Sequence, residues 1–245
     1  MVIFLIAFVL LLVIGVHISI SIGASAVLGC LSLGYPLVVI GQKMVSGIDS
    51  FLLIAVPLFI LAGNLMNAGK ITEKIFDTAK ELVGWIPGGL GHANVVASII
   101  FAGMSGSAVA DAGGLGAIEM EAMKKNGYDE DFAGAVTAAS SVIGPIFPPS
   151  IPLIIYGSVA SVSVDQLFMG GVVPGLLMGV LLMVMVLYFA IVRRYERHPF
   201  RLRALIRQFL GSIPALITPV IILCGFVVGW FTPTEASSIA VIYSL

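Results

Sequence analysis

Apolar residues run along much of this chain without a charged side chain, in stretches close to the length that crosses a bilayer. Residues 2–16, 51–65 and 172–192 contain no Asp, Glu, Lys or Arg. A transmembrane helix needs about 20 mostly apolar residues, whereas a transmembrane strand alternates apolar and polar residues, and these stretches do not alternate. The pattern predicts an all-α, polytopic membrane protein.

The other apolar stretches place the remaining spans. Residues 1–40 are long enough for two spans with a turn at Gly15–His17, and one long tilted helix is the alternative. A polar break at 41–50 precedes a span near 51–66. Two later spans are predicted at 167–192, with a small-residue packing stripe of Gly171, Gly175 and Gly179, and at 213–230. An arginine-rich loop lies between them: Arg193, Arg194, Arg197, Arg201, Arg203 and Arg207.

The segment from residue 67 to 85 has a different pattern, because charged residues alternate with apolar ones at helical spacing. Ile71, Ile75, Ala79 and Leu82 lie on one side of such a helix. This pattern predicts an amphipathic helix in the plane of the membrane interface.

The segment from Gly91 to Met123 is interrupted by Ser105-Gly106-Ser107, which leaves two halves that are too short to cross a bilayer. We therefore predict a re-entrant helical hairpin that enters and leaves on one side. If this hairpin opens to the cytoplasm, every Lys and Arg of the chain except Lys43 lies on the cytoplasmic side, as the positive-inside rule requires.

A cluster of prolines breaks the next apolar segment, which runs from Phe132 to Tyr156. Because proline lacks a backbone donor, we predict a helix to about Val142, an unwound run through Pro149 and then a second half-helix. Unpaired backbone groups in lipid each cost several kcal/mol, so two such breaks at membrane depth are expected only inside protein or beside a cavity.

The two broken segments indicate a binding site made by free backbone groups. Carbonyl groups at the ends of half-helices suit a dehydrated Na⁺, and free amides suit an anion. Ser105 and Ser107 add hydroxyl oxygens. Asp111 is an acid inside a membrane segment, which favours a functional role, with a structural partner among free amides as the alternative. Glu119 and Glu121 are predicted to be solvated near the cytoplasmic mouth.

Other functions have less support in the sequence. The formal net charge of −1 gives no reason to expect a nucleic-acid partner. Gly103-Met104-Ser105-Gly106 matches the Gly-x-Ser-Gly pattern of rhomboid intramembrane proteases, but such a serine needs a histidine base on another helix. His92 lies on the same half-helix, and His17, His92 and His198 have no metal-ligand spacing. A channel-like or accessory membrane protein without ion coupling is the other alternative.

The chain resembles the large membrane subunit of tripartite ATP-independent periplasmic (TRAP) transporters in four blocks: PLFILAGNLMNAG, GMSGSAVADA, AASSVIGPIFPPSIPLIIYG and FTPTEASSIAVIYSL. The resemblance extends essentially from end to end. It implies a Na⁺-coupled importer of an organic acid, such as a dicarboxylate or sialic acid, in the bacterial inner membrane, with no cofactor besides the coupling ion. It also implies two protein partners, a small four-helix membrane subunit and a periplasmic substrate-binding protein, and an elevator-type mechanism.

The resemblance assigns roles to individual residues. The tip of the hairpin and the unwound segment would form the first Na⁺ site, from Ser105, Gly106, Ser107, Gly144, Pro145 and Pro148. The candidates for contact with the substrate or for a role in transport are Asp111, Ser140, Ser141 and Pro149.

The predicted organisation has five parts. These are scaffold spans (1–66), an interfacial arm helix (67–86), a transport region (87–165, with the hairpin at about 91–123 and the broken helix at about 130–160), a span with the arginine-rich cytoplasmic loop (166–209), and a span with the start of a second repeat (210–245). Family members enclose the site with two inverted repeats. Because a capping box at Thr232–Glu235 opens a helix shortly before Leu245, we expect one half of such a transporter, as a fragment or a split chain.

Overall fold

The computed structural model describes residues 2–195, 197, 199 and 202–245. All regular secondary structure in this part of the chain is helical, so the predicted all-α fold is confirmed. Two sequence-based assignments, Arg201 in the arginine-rich loop and His198, lie outside the described residues. The helices divide into two compact units, Met1–Ser50 and Phe51–Leu245, which are described separately.

The first unit contains three helices, α1 (Val2–Val13), α2 (Ile18–Ser32) and α3 (Leu37–Ile48). The chain turns at Gly15, whose φ is +85°, and α2 packs back on α1, so two helices form where one long helix was the alternative. The prediction of a polar break at 41–50 is wrong for most of its length. The helix α3 continues through this stretch to Ile48, because no proline interrupts residues 41–48, and its residues from 41 to 48 are all exposed.

The second unit begins with a 3₁₀ turn (Phe51–Ile54) and α4 (Ala55–Ala68), followed by α5 (Ile71–Val83) and α6 (Gly89–Ser105). Its later helices are α9 (Glu130–Ser141), α10 (Ile151–Ala160), α11 (Val164–Arg193), α12 (Leu202–Val228) and α13 (Pro233–Ser244). The capping box predicted at Thr232 and Glu235 is present at the start of α13.

Among the described residues, two helices are long and apolar enough to cross a membrane, Phe51–Ala68 and Val164–Arg193. A third candidate is α12, which bends by 61° between Leu202–Pro214 and Leu216–Phe226. These three helices correspond to the spans predicted at 51–66, 167–192 and 213–230. The scaffold predicted for residues 1–66 includes both the first compact unit and the start of the second, and its role as a scaffold stays a prediction.

The amphipathic helix predicted between residues 67 and 85 is present as α5. Its apolar side chains, including Ile75, Phe76 and Ala79, are buried, and α5 packs on α6 and α12. The Thr78 hydroxyl also donates a hydrogen bond of 2.7 Å to Ser212 Oγ on α12. Most of the apolar face of α5 is therefore covered by protein, while Leu82 near its C-terminal end is 47% exposed.

The hairpin consists of α6 and a returning segment that packs against it. The returning segment comprises α7 (Ala108–Ala110), a π-helical turn (Asp111–Leu115) and α8 (Gly116–Lys125). After it, α9 ends at Ser141, irregular turns follow, and α10 begins at Ile151. The breaks thus lie where the sequence predicted them, while the depth of the hairpin in the membrane stays a prediction.

Part of the arginine-rich segment that was predicted to be a loop is helical. Arg193 is the last residue of α11, and α12 begins at Leu202, so Arg203 and Arg207 are helical. Apolar residues that recur at helical spacing, such as Leu202 and Ile206, extend α12 through this part of the predicted loop.

A polar clasp ties the turn between α8 and α9 to the C-terminal end of α11. The Tyr195 hydroxyl donates to Asp129 Oδ2 at 2.8 Å, and the Arg193 guanidinium pairs with the same carboxylate. Arg193 also lies over the rings of Phe132 and Phe189. The hydrogen bond from Tyr195, together with the hydrogen bond and positive charge of Arg193, holds the pKa of Asp129 below its ordinary value.

The predicted glycine stripe on α11 allows close packing against the broken segments. A Cβ atom at Gly171 would lie 2.3 Å from the Ile146 carbonyl oxygen. The corresponding atom at Gly175 would lie 3.0 Å from the Phe147 ring. The unwound segment therefore rests directly on the backbone of α11.

We expect Gly171→Ala to lower the free energy of unfolding by about 1–3 kcal/mol, because the new methyl group must displace the Ile146 carbonyl. Gly170→Ala is the matched control, since a Cβ atom at the exposed residue Gly170 has no neighbour within 4 Å. Thermal unfolding in detergent measures both variants. Equal stability of the two would contradict this account of the packing.

Candidate functional site

The tip of the hairpin rests on the unwound segment through Gly106. This residue has a left-handed φ of +60°, and its carbonyl oxygen accepts a hydrogen bond of 3.3 Å from the Ile151 amide. A Cβ atom at Gly106 would lie 2.3 Å from the Pro149 carbonyl oxygen. Both the backbone conformation and the available space therefore require glycine at the tip.

Ser107 and Gly144 make a second contact between the two broken segments. A Cβ atom at Gly144 would lie 3.2 Å from the carbonyl carbon of Ser107, so the two backbones are in contact. The Ser107 hydroxyl caps the returning segment and accepts a hydrogen bond of 3.3 Å from the Ala110 amide. The tip thus touches the unwound segment near both ends, at Gly144 and at Pro149.

The unwound segment is rich in backbone carbonyl groups and poor in amides. Pro145, Pro148 and Pro149 have no backbone N–H, and the peptide bond between the last two is cis. Ser150 caps α10, because its hydroxyl accepts from the Leu153 amide at 3.2 Å, and it donates to the Pro145 carbonyl oxygen at 2.5 Å. Since a carbonyl oxygen has two lone pairs, this bond leaves one lone pair of Pro145 free.

Ser105 adds an unused oxygen atom beside this junction. Its side chain is only 2% exposed and packs against Gly63 of α4. Its hydroxyl has no hydrogen-bond partner among the described residues. A buried polar atom without a partner is uncommon and needs an explanation, which a bound ion would supply.

Among the described residues of the second unit, no histidine lies within hydrogen-bond reach of Ser105, as a serine protease would need. His92, the one histidine in the described part of the second unit, lies thirteen residues earlier on α6, which is about 20 Å along the helix axis. That distance is far beyond hydrogen-bond reach.

A column of buried polar side chains links the hairpin to α9. The Ser98 hydroxyl donates to Ser140 Oγ at 3.1 Å, and Ser140 donates to Asn94 Oδ1 at 2.7 Å. The Asn94 amide donates to Thr137 Oγ1 at 2.8 Å. Ser141 donates to the Thr137 carbonyl oxygen at 2.8 Å. These five residues, with Asp111 and Glu119, are called the polar column below.

Three residues predicted to contact substrate, Asp111, Ser140 and Ser141, belong to this column and are at most 2% exposed. The hydroxyls of both serines already donate hydrogen bonds within the protein. Pro149, the fourth, lies at the junction with Gly106. A role in substrate contact stays a prediction for all four.

The prediction that Glu119 is solvated is wrong, since its side chain is fully buried. Its neighbour Glu121 is exposed, as predicted, and pairs with Lys125 at 2.7 Å. The cause is the π-helical turn from Asp111 to Leu115, which adds one residue to the helix. Glu119 follows Asp111 by eight positions, and the extra residue makes this spacing equivalent to seven positions in a regular α-helix. Because positions seven apart lie on the same face of an α-helix, Glu119 is buried on the same side as Asp111.

Asn94, Ser98 and Thr137 were not among the predicted site residues, although the sequence contains a sign of the polar column. Asn94 and Ser98 are four residues apart on α6, and Thr137, Ser140 and Ser141 share a face of α9. Two polar faces on neighbouring apolar helices predict a buried polar contact. The π-helical turn that brings Glu119 to it has no comparable sign in the sequence.

We expect Gly106→Ala to lower the free energy of unfolding by at least about 2 kcal/mol, because alanine disfavours a left-handed conformation and its methyl group meets the Pro149 carbonyl. Gly113→Ala is the control in the same hairpin, since Gly113 is exposed with open space around its Cα. Thermal unfolding of the two proteins tests the contact. Equal stability of Gly106→Ala and Gly113→Ala would show that the contact between Gly106 and Pro149 does not constrain the tip.

Residues 5–245 match the family described as the tripartite ATP-independent periplasmic transporter, DctM component. The chain is 50% identical over 205 residues to the sialic acid TRAP transporter large permease protein SiaM of Vibrio cholerae, covering 83% of this chain and 48% of the relative. It is 42% identical over 208 residues to the 2,3-diketo-L-gulonate TRAP transporter large permease protein YiaN of Escherichia coli, covering 84% of this chain and 49% of the relative.

A third relative is the C4-dicarboxylate TRAP transporter large permease protein DctM of Vibrio cholerae, which is 37% identical over 237 residues, covering 96% of this chain and 52% of the relative. The chain therefore spans about half the length of these relatives. Large permeases of this family are inner-membrane proteins, in keeping with the apolar helices described above. The chain belongs to the DctM, or large permease, family of tripartite ATP-independent periplasmic transporters.

Proposed function

We propose that this chain contributes a Na⁺-binding half to a secondary transporter that imports an organic acid across the bacterial inner membrane. The observation that carries the proposal is the junction of the two broken segments, in which Gly106 contacts Pro149 and Gly144 contacts Ser107. Two interrupted helices that meet in a membrane protein are the usual framework of ion and substrate sites in secondary transporters.

The oxygen atoms around this junction suit Na⁺. The Ser105 hydroxyl has no hydrogen-bond partner in the part of the chain that the structure describes. The unwound segment offers backbone carbonyl groups, and its prolines have no amide hydrogen that could pair with them. We assign the ion to Ser105, Gly106 and Ser107 on the tip. The ligands from the other side are Gly144, Pro145 and Pro148. Oxygen atoms from two separate segments would replace the water that the ion loses, and the ion would in turn hold the segments together.

The proposed substrate class comes from the relatives. Sialic acid, 2,3-diketo-L-gulonate and C4-dicarboxylate appear in their names, and all three are organic anions. An inward Na⁺ gradient supplies positive charge that offsets the entry of an anion. We therefore propose Na⁺-coupled uptake of a carboxylate, in which Pro149 at the junction is the substrate candidate adjacent to the ion.

The proposed partners follow from the three-part organisation that the family name describes. They are a periplasmic protein that delivers the organic acid and a small four-helix membrane subunit beside the large permease. We further propose an elevator-type movement, in which the hairpin and the broken helix travel together. Their direct contacts through Gly106 and Gly144 favour movement as one body.

We expect Ser107→Ala to raise the Na⁺ concentration for half-maximal uptake about three- to tenfold, which corresponds to about 0.7–1.4 kcal/mol for one lost ligand. The measurement is uptake into proteoliposomes that contain the complete transporter and its binding protein. Ser163→Ala is the matched control, because Ser163 also caps a helix, accepting a hydrogen bond from the Gln166 amide. It removes the same kind of cap at a place away from the junction.

An equal Na⁺ dependence in Ser107→Ala and Ser163→Ala would remove Ser107 from the ion site. Uptake by the unchanged protein that needs no Na⁺ gradient would instead favour the channel-like or accessory alternative. The two outcomes are distinguishable, since the first concerns one ligand and the second concerns coupling as a whole.

A further inference from the structure

We propose that Asp111 and Glu119 form a buried proton-binding site in the hairpin, separate from the Na⁺ site at its tip. Asp111 is 1% exposed and Glu119 is 0% exposed. All four of their carboxyl oxygens are buried and have no hydrogen-bond partner within the described residues. Two unpartnered acids in one polar column need an occupant that neutralises them.

No basic side chain neutralises either acid. Every ion pair among the described residues involves other carboxylates, those of Glu121, Asp129 and Glu130. An isolated carboxylate that loses its water without a partner is destabilised by several kcal/mol, and a proton removes this penalty.

The elements packed on the returning segment are α4, through Asn67, and α5, α6 and α9. The Ser98 and Ser141 hydroxyls face Asp111. The Asn94 amide faces Glu119, and the titratable group that acts on Glu119 is Asp111. His92 lies two residues before Asn94 on α6. Residues at that spacing point to different sides of a helix, so His92 does not face Glu119 as Asn94 does.

A proton can occupy this site because the polar groups around it can accept a hydrogen bond. The Ser98 and Ser141 hydroxyls, which face Asp111, are both donors and acceptors, so a protonated Asp111 can donate to either of them. A proton also removes the charge of the acid without any further ligand, whereas a dehydrated metal ion needs a shell of oxygen atoms.

The π-helical turn is part of this site. A Cβ atom added at Gly114 would lie 3.1 Å from Asn67 Nδ2. A Cβ atom added at Gly116 would lie 2.5 Å from Thr137 Cγ2. These close contacts pack the π-helical turn against α4 and α9. The extra residue in that turn rotates the following helix, so that Glu119 points toward the polar column on the same side as Asp111. The local distortion thus serves to bring a second acid inside.

Infrared spectroscopy of the protein in lipid nanodiscs tests the proposal without requiring transport, so its failure is separable from failure of Na⁺-coupled uptake. The signal is the carbonyl stretch of a protonated carboxylic acid at neutral pH in Na⁺-free buffer. We expect the unchanged protein to show this band, and Glu119→Gln or Asp111→Asn to remove at least part of it. Glu121→Gln, an identical change at an exposed position two residues away, should leave it intact.

The pH dependence of thermal unfolding gives a second readout on the same proteins. Unfolding exposes the buried acids to water, where they ionise with ordinary carboxyl pKa values of about 4, so the unfolding midpoint of the unchanged protein should fall as the pH rises above about 4–5, until the folded protein also loses these protons. Glu119→Gln, which has nearly the shape of the protonated acid, should flatten this slope, and Glu121→Gln should not.

Three results would overturn the proposal: a missing band in the unchanged protein, a band equally strong in Glu119→Gln and Asp111→Asn, or a band that saturating Na⁺ removes. The last result would make Na⁺ the occupant of the polar column.

Discussion

A backbone that leaves its helix inside a membrane protein must find partners within the protein, and the rest of this structure depends on how two such breaks satisfy each other. The Gly106 carbonyl accepts from the Ile151 amide, and Gly144 lies against the backbone of Ser107. Each break therefore supplies what the other lacks. The glycines of α11 allow the unwound segment to approach closely from the other side, so the junction is held by backbone contacts on two faces.

The same hairpin contains a second polar region with a different chemistry. The Na⁺ site proposed at the tip contains backbone and hydroxyl oxygens and no carboxylate, which suits an ion that arrives with its own charge. Further along the returning segment, Asp111 and Glu119 are buried with no positive partner among the described residues, which suits a proton. If both proposals hold, one hairpin responds to Na⁺ at its tip and to pH along its side. The two responses share α6 and α9 as their framework.

The sequence predicted both breaks within a few residues because glycine and proline limit the backbone locally, and it predicted the long spans because length and apolarity are directly visible. Its errors have different causes. The helix α3 continues through polar residues without any buried residue, since polarity alone does not end a helix and no proline interrupts residues 41–48. Glu119 was expected in solvent, yet the π-helical turn, seated by Gly114 against Asn67, rotates it inward. The five hydrogen-bonding residues of the polar column could have been found from their helical spacing; the π-helical turn could not.

The central claim is that the two broken segments share one cation. Hydrogen–deuterium exchange of residues 104–110 and 142–151 in Na⁺ buffer, compared with K⁺ buffer of equal ionic strength, tests it most directly. An ion bound between the segments should slow exchange in both, with the same Na⁺ concentration at the midpoint. Slower exchange in only one segment, or no difference between the two buffers, would contradict the shared site.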